Sequence, residues 1–265
     1  MRDSEDMCGR FASFRQTQDL LDAFLIDPTL PLDPELAQWQ ASWNVAPTDP
    51  VRIVVERAPK PAAGAGGARS EAALDEQPVR SLRLARWGLV PSWSKDPSGG
   101  ARMINARTET LLEKPAFKKA FAARRCLIPT EGYYEWQQPA PGTPARTPKQ
   151  PFFIRPASEG VAAFAGLYEF WRDRTKADDD PARWLVTTTV ITKDAEGDMR
   201  DLHDRVPAVL DASRWDEWLS PATSVGAARA LLDPPVPDLT WYPVSTAVNT
   251  ATNEGPQLVE PVPAG

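Results

Sequence analysis

Three residues in this chain could carry covalent or proton-transfer chemistry: Cys8, Glu135 and the lone histidine, His203. His203 lies in His203-Asp204-Arg205-Val206-Pro207, just ahead of an apolar segment. Any imidazole chemistry must take place there, as general acid or base; the plain alternative is a surface-loop histidine. Glu135 belongs to Glu131-Gly132-Tyr133-Tyr134-Glu135-Trp136. Strand alternation puts Tyr133 and Glu135 on one face, Tyr134 and Trp136 on the other. A carboxylate set among aromatics loses hydration, which raises its pKa towards the range useful for proton transfer. A glutamate facing water from an edge strand is the alternative.

Cys8 follows a methionine, in Met7-Cys8-Gly9-Arg10-Phe11. An internal cysteine near a chain start has no special reactivity. A start at Met7, or removal of 1–7, would instead leave Cys8 terminal, with an amine and a thiol on adjacent carbons. An α-amine has a pKa of about 8 against about 10.4 for lysine, so much more of it is neutral near pH 7. A neutral amine attacks an aldehyde, and the adjacent sulfur can close on the imine carbon to give a five-membered thiazolidine. No other residue offers both nucleophiles.

Ile104-Asn105-Ala106-Arg107-Thr108-Glu109-Thr110 looks like the start of a helix, with Asn105 as N-cap and Glu109 in the first turn. That capping role could be its whole explanation. A helix start also offers backbone N–H groups to an anion, and Arg107 adds a planar donor suited to phosphate. Among ten tryptophans, Trp87, Trp184 and Trp215 are expected in the core, while Trp93, next to a Lys/Gly loop, suits stacking on a base.

The elements that must hold these residues read as short strands with few helices. Strands are expected at Val51–Val55, Leu82–Leu89, Cys126–Ile128, Tyr133–Trp136, Pro151–Ile154, Val161–Trp171, Trp184–Thr192, Ala208–Leu210 and Thr240–Val244. Helices are expected over Thr17–Leu25, with Leu20, Leu21, Phe24 and Leu25 on one face. Others are expected over Arg107–Ala122 (interrupted at Pro115), Ser213–Leu219 and Ser224–Leu232. Connections too short for helical crossovers point to an α+β single domain with a mostly antiparallel, barrel-like β core and a few short flanking helices. That domain is expected over 8–262, with a leader at 1–7, a flexible Ala/Gly/Pro loop at 59–77 and a loose tail at 263–265.

Hydrophobic residues make up 42% and charged residues 25% of the chain, as in ordinary soluble proteins. No apolar run approaches the roughly 18 residues of a membrane span, and the polar start is no secretory signal. A cytoplasmic location is the expectation, nucleoid-associated in a bacterium, with a monomer as the default. The net charge of −6 argues against a nucleic-acid partner, although acidic loops leave room for a local basic groove. Cys8 and Cys126 are expected to be reduced, and two cysteines with one histidine do not make a structural zinc site. No metal and no cofactor is expected.

These segments, taken in order, resemble the SOS response-associated peptidase (SRAP) family of abasic-site crosslinking proteins. The likeness runs through MCGRFA at Met7, WNVAPT at Trp43, WGLVPSW at Trp87, INARTET at Ile104 and RRCLIPTEGYYEW at Arg124. It continues with PFFI at Pro151, AGLYEFW at Ala165, HDRVPAVL at His203 and WYPVSTAVN at Trp241. It implies covalent capture of abasic sites in single-stranded DNA by a terminal Cys8, as a thiazolidine, in the response to DNA damage. It further implies that Glu135 moves protons around the amine and imine, that His203 assists ring opening of the sugar, and that Asn105 and Arg107 hold sugar and phosphate. Arg10 and Arg205 match DNA-backbone contacts; Pro47 and Trp93 lie in segments that shape the DNA path. The family label adds possible self-cleavage before Cys8, and lyase activity is a further possibility. Two competing readings are a cysteine (auto)peptidase using Cys8 and His203, and a non-covalent single-stranded DNA-binding module.

Overall fold

The computed structural model describes residues 8–57, 78–138 and 147–263. The leader expected over 1–7, the loop expected over 59–77 and the end of the expected tail lie outside them.

In chain order the strands are β1 (Phe11–Ser13), β2 (Ser42–Val45), β3 (Pro50–Arg57), β4 (Val79–Trp87), β5 (Asn105–Arg107) and β6 (Arg125–Thr130). They continue with β7 (Gly132–Gln137), β8 (Gln150–Pro156), β9 (Ala162–Arg172), β10 (Trp184–Asp194), β11 (Arg205–Pro207) and β12 (Leu239–Pro243). The helices are α1 (Thr17–Ala23), α2 (Pro115–Ala123), α3 (Met199–Leu202), α4 (Trp215–Leu219) and α5 (Val225–Ala230).

Strands β10, β4, β3, β6 and β9 pair in that order, and β9 pairs back to β10, closing a barrel. Within it only β10–β4 is parallel. Period-2 alternation assigns its two faces. Ile53, Val55, Cys126, Ile128 and Phe164 point into one apolar cluster, while Val54, Leu127, Ala163 and Leu167 point into another shared with α1, α2 and α4. A second, antiparallel sheet runs β12-β8-β7-β1-β2. Phe11, Tyr133 and Ile154 of that sheet join the first cluster, so the sheet packs on the barrel. Phe11 makes edge contacts with Trp87 and Phe164 across this seam, at centroid distances of 5.0 and 5.7 Å.

The mostly antiparallel α+β barrel is the expected architecture, but several local expectations fail. No helix begins at Asn105: 105–107 instead pair parallel to Val190–Thr192 of β10, and a single 3-10 turn follows. Pro115 then opens α2 at its first position, where proline's missing N–H costs nothing. The strand expected at Ala208–Leu210 falls earlier, as β11. Residues 208–210 cross from β10 to β9, bonding Ile191 O through Ala208 N and Ala163 O through Leu210 N. Trp184 is not core but half exposed at the first position of β10, under the Arg183 guanidinium. Leu25 is exposed because α1 ends before it, and it takes a positive φ of 52°.

Candidate active site

Cys8 leads into β1, and β1 is sandwiched between β2 and β7. Pairing of Phe11 with Tyr133 sets β7 beside it. Gly132 opens β7 at φ 159°, and a Cβ there would lie 2.5 Å from the Ile154 carbonyl oxygen. Only glycine lets β7 lie this close to β8. From there alternation sends Tyr133 and Glu135 towards the barrel, and both are buried. Tyr134 and Trp136 face the opposite cluster with Phe153 and Val248.

The barrel supplies the other half. Strand β5, which pairs parallel to β10 outside the barrel circuit, carries Asn105 opposite Val190. His203 terminates α3, its N–H donating to Met199 O, and it is extended as the chain turns into β11. Cys8 Sγ, a Glu135 carboxylate oxygen and a His203 ring nitrogen thus all lie within 4.8 Å of one another. His203 Nε2 is 3.9 Å from Glu135 Oε2. Neither strand order nor spacing announces this meeting, because it is made across the seam between the two sheets.

The peptide of Arg205 organises the cluster. Cys8 Sγ donates to the Arg205 carbonyl at 3.7 Å. His203 Nδ1 is 3.0 Å from the Arg205 N–H and 3.1 Å from the Arg205 carbonyl. Nδ1 therefore has a partner in either tautomer: it accepts from the N–H when Nε2 carries the proton, and donates to the carbonyl when Nε2 is bare. Nε2 can give or take a proton without orphaning Nδ1. This suits an acid–base residue.

Burial pushes the Cys8 thiol well above its ordinary pKa, and the Glu135 carboxylate, by charge and by hydrogen bonding, pushes it further. The resting group is a thiol, not a thiolate. Asn105 Nδ2 donates to the Cys8 carbonyl at 3.1 Å. Asn105 Oδ1 and the Tyr133 hydroxyl are buried polar atoms without a hydrogen-bond partner among the described residues. Each such atom costs about 1–3 kcal/mol, and both belong to the seam that holds Cys8. The tyrosine hydroxyl was not anticipated from sequence, although alternation had placed Tyr133 on the face of Glu135.

The residues matched to DNA contacts fall into two groups. Arg107 is exposed at the end of β5, and Trp93 is 64% exposed in the loop after β4. Pro47 is half-buried in the β2–β3 turn, which is tied to β4 by Thr48 N to Trp87 O and Trp87 N to Asp49 O, both 2.9 Å. Arg10 is half-buried, with Nη1 on Asn44 Oδ1 and Val248 O. Arg205 differs. Its guanidinium is buried and held by Glu109, Asp194 and the Thr192 carbonyl. Glu109, expected to serve a helix start, instead pairs with Arg205. A cavity of about 590 Å³ walled by Arg15, Glu131, Arg155 and Tyr242 lies apart, with none of Cys8, Glu135 and His203 in its lining. Among the described residues no helix is long and apolar enough to cross a membrane.

The profile of a family described as "SOS response associated peptidase (SRAP)" matches residues 7–251. The abasic site processing protein YoqW of Bacillus subtilis is 36% identical over 256 residues, covering 96% of this chain and 99% of its own. The abasic site processing protein HMCES of Gallus gallus is 33% identical over 70% of this chain and 59% of its own. A Bacteroides thetaiotaomicron protein of known structure superposes with a TM-score of 0.69 at 21% identity, covering 96% of this chain and all of that one, which shows the shared fold. The chain belongs to the SOS response associated peptidase family.

Proposed function

We propose that this protein processes abasic sites in DNA, capturing them covalently in single strands through Cys8 as the terminal residue of the mature chain. What carries the reading is the meeting of a thiol, a carboxylate and an imidazole within 4.8 Å at the first residue of the family's match to survive removal of Met7. The names of the relatives supply the substrate class.

An abasic sugar is a hemiacetal in equilibrium with an aldehyde. Opening moves a proton from the anomeric hydroxyl to the ring oxygen, and Nε2–H of His203 is the acid we assign to protonate that oxygen. The Cys8 amine adds to the aldehyde carbon, and the carbinolamine loses water to give an imine. Sulfur then adds to the imine carbon while its proton passes, through Glu135, to the nitrogen. The sum is aldehyde plus aminothiol giving thiazolidine plus water. Because the Cys8 thiol is protonated at rest, the closing step needs a base at hand, and Glu135 fills that role. Asn105 Oδ1 and the Tyr133 hydroxyl receive the polar atoms of the opened sugar. Arg107 and Arg10 take phosphate, Trp93 offers a face to a base, and Pro47 borders the path. Arg205 acts as a positioning residue.

Protein begun at Met7 is incubated with single-stranded DNA bearing one abasic site and analysed by denaturing gel and intact mass. The expected product is a heat-stable adduct heavier by the DNA less one water, absent in Cys8→Ala. An adduct that persists in Cys8→Ala, or that forms equally with 1–7 attached, overturns the assignment. Turnover of an unrelated peptide would favour the peptidase reading.

A further inference from the structure

We propose that Cys8 Sγ, the Glu135 carboxylate and His203 Nε2 also form a binding site for a soft divalent cation, zinc in chemical class, which masks the thiol reversibly. The inference deepens the reading above by adding regulation to the same site. It does not rest on DNA binding.

The ligand set is one sulfur, one oxygen and one imidazole nitrogen, on three separate elements, with the donor atoms mutually within 4.8 Å. Zinc takes these at about 2.3, 2.1 and 2.0 Å, which makes the edges of its tetrahedron roughly 3.3–3.6 Å. The His203–Glu135 edge is 3.9 Å and no edge exceeds 4.8 Å, so closing round the cation asks for about 0.5 Å at the first edge and at most about 1.3 Å at the others. The support a metal-bound histidine needs is already built: with Nε2 on the metal, Nδ1–H donates to the Arg205 carbonyl 3.1 Å away. Sulfur and imidazole select zinc over magnesium or calcium, which prefer all-oxygen shells. Cys8 and Glu135 are buried and His203 is nearly so, so the cation would sit shielded from solvent. Asn105 Oδ1, a buried acceptor with no partner among the described residues, is a second, independent sign that this seam takes a polar or charged guest. The fourth position falls to water or to the Cys8 amine of the mature chain.

Binding forms an S–Zn bond as the thiol proton leaves to solvent; no oxidant or reductant is involved. Masked this way, the sulfur shares its electron pair with the cation, and both thiazolidine closure and alkylation slow while the cation stays bound.

The test uses the full chain, stripped of metal by a chelator, with zinc or cobalt as probe and no DNA present. Expected are one-to-one binding, release of a proton, and protection of Cys8 from iodoacetamide, read by peptide mass and reversed by chelator. Cobalt should give a thiolate charge-transfer absorption that Cys8→Ser abolishes. Glu135→Gln and His203→Ala should each weaken binding by more than the roughly tenfold that loss of an outer-shell partner costs, with folding checked by near-ultraviolet circular dichroism. If His203→Ala does not fold, wild-type protection and the cobalt spectrum decide. Equal labelling of Cys8 with and without zinc, or unchanged binding in Cys8→Ser (an adventitious ion only), overturns the proposal. Since DNA is absent throughout, this failure is separate from a failure of the crosslink.

Discussion

Asn105 donates its side-chain amide to the main-chain carbonyl of Cys8, at 3.1 Å. A strand paired to the barrel's β10 thereby grips the residue that leads into the second sheet, and the grip fixes which way the other end of the amide faces. Asn105→Asp keeps the shape but replaces the donor with an acceptor against that carbonyl. The expected result is a loss of about 1–3 kcal/mol of stability and at least tenfold slower adduct formation. Denaturant unfolding and single-turnover gels measure the two separately. Wild-type rates in this variant would mean that the amide does not orient Cys8.

Glu135 raises the Cys8 pKa, second to burial itself, and we assign it the proton transfers of capture. Glu135→Gln therefore has opposite effects on two rates. The thiol becomes more acidic, so alkylation of Cys8 at fixed pH accelerates. Adduct formation slows, because the group that takes the thiol proton is gone. A glutamate that served only to hold the strand would change neither in this pattern.

The Tyr133 hydroxyl has no hydrogen-bond partner among the described residues, yet it is buried. Tyr133→Phe removes the desolvated oxygen and keeps the ring that packs edge-on against Phe164 at 6.1 Å. Stability should be unchanged or higher by about 1 kcal/mol, while capture of the opened sugar weakens severalfold. Equal capture at equal stability would leave the hydroxyl without a role.

Alkali should destabilise the fold in a defined window. Burial raises the Cys126 pKa from its ordinary 9.0 to about 12, and raises Cys8 in the same direction. The folded state holds these protons more tightly than the unfolded chain. Their stabilisation is therefore whole below about pH 9 and is lost as pH rises through the folded values. Each thiol contributes a slope of about 1.4 kcal/mol per pH unit within that window. Urea unfolding between pH 7 and 11 should show the fall, and Cys126→Ala should make it shallower.

The sequence was most legible where a period governs and least where two distant segments meet. Alternation correctly assigned Tyr133 and Glu135 to one side and Tyr134 and Trp136 to the other, because both faces of β7 are buried. Asn105 misled, since asparagine before a polar run fits a helix cap and also a short parallel strand. Pairing with β10, remote in sequence, decided between them. The same remoteness hid the Arg205 peptide, whose main-chain atoms meet Cys8 Sγ and His203 Nδ1. The arginine itself, matched to a phosphate contact, has Glu109 and Asp194 around its guanidinium.

That environment separates the arginines in a salt titration. On a single strand, a side chain that neutralises one phosphate contributes about 0.7 of a unit to the slope of log affinity against log salt. Arg107 is exposed and Arg10 half-buried, so Arg107→Ala and Arg10→Ala should each lower the slope for non-covalent binding of single-stranded DNA by about 0.7. Arg205 already carries two carboxylate partners and a main-chain acceptor, so its charge is spoken for. Arg205→Ala should leave the slope within error of wild type. It should nevertheless slow adduct formation, because the 205 peptide that holds both Cys8 Sγ and His203 Nδ1 loses its anchor. A slope reduced by about 0.7 in Arg205→Ala, with an unchanged rate of capture at saturating DNA, would return Arg205 to the phosphate contacts and remove it from the support of the site.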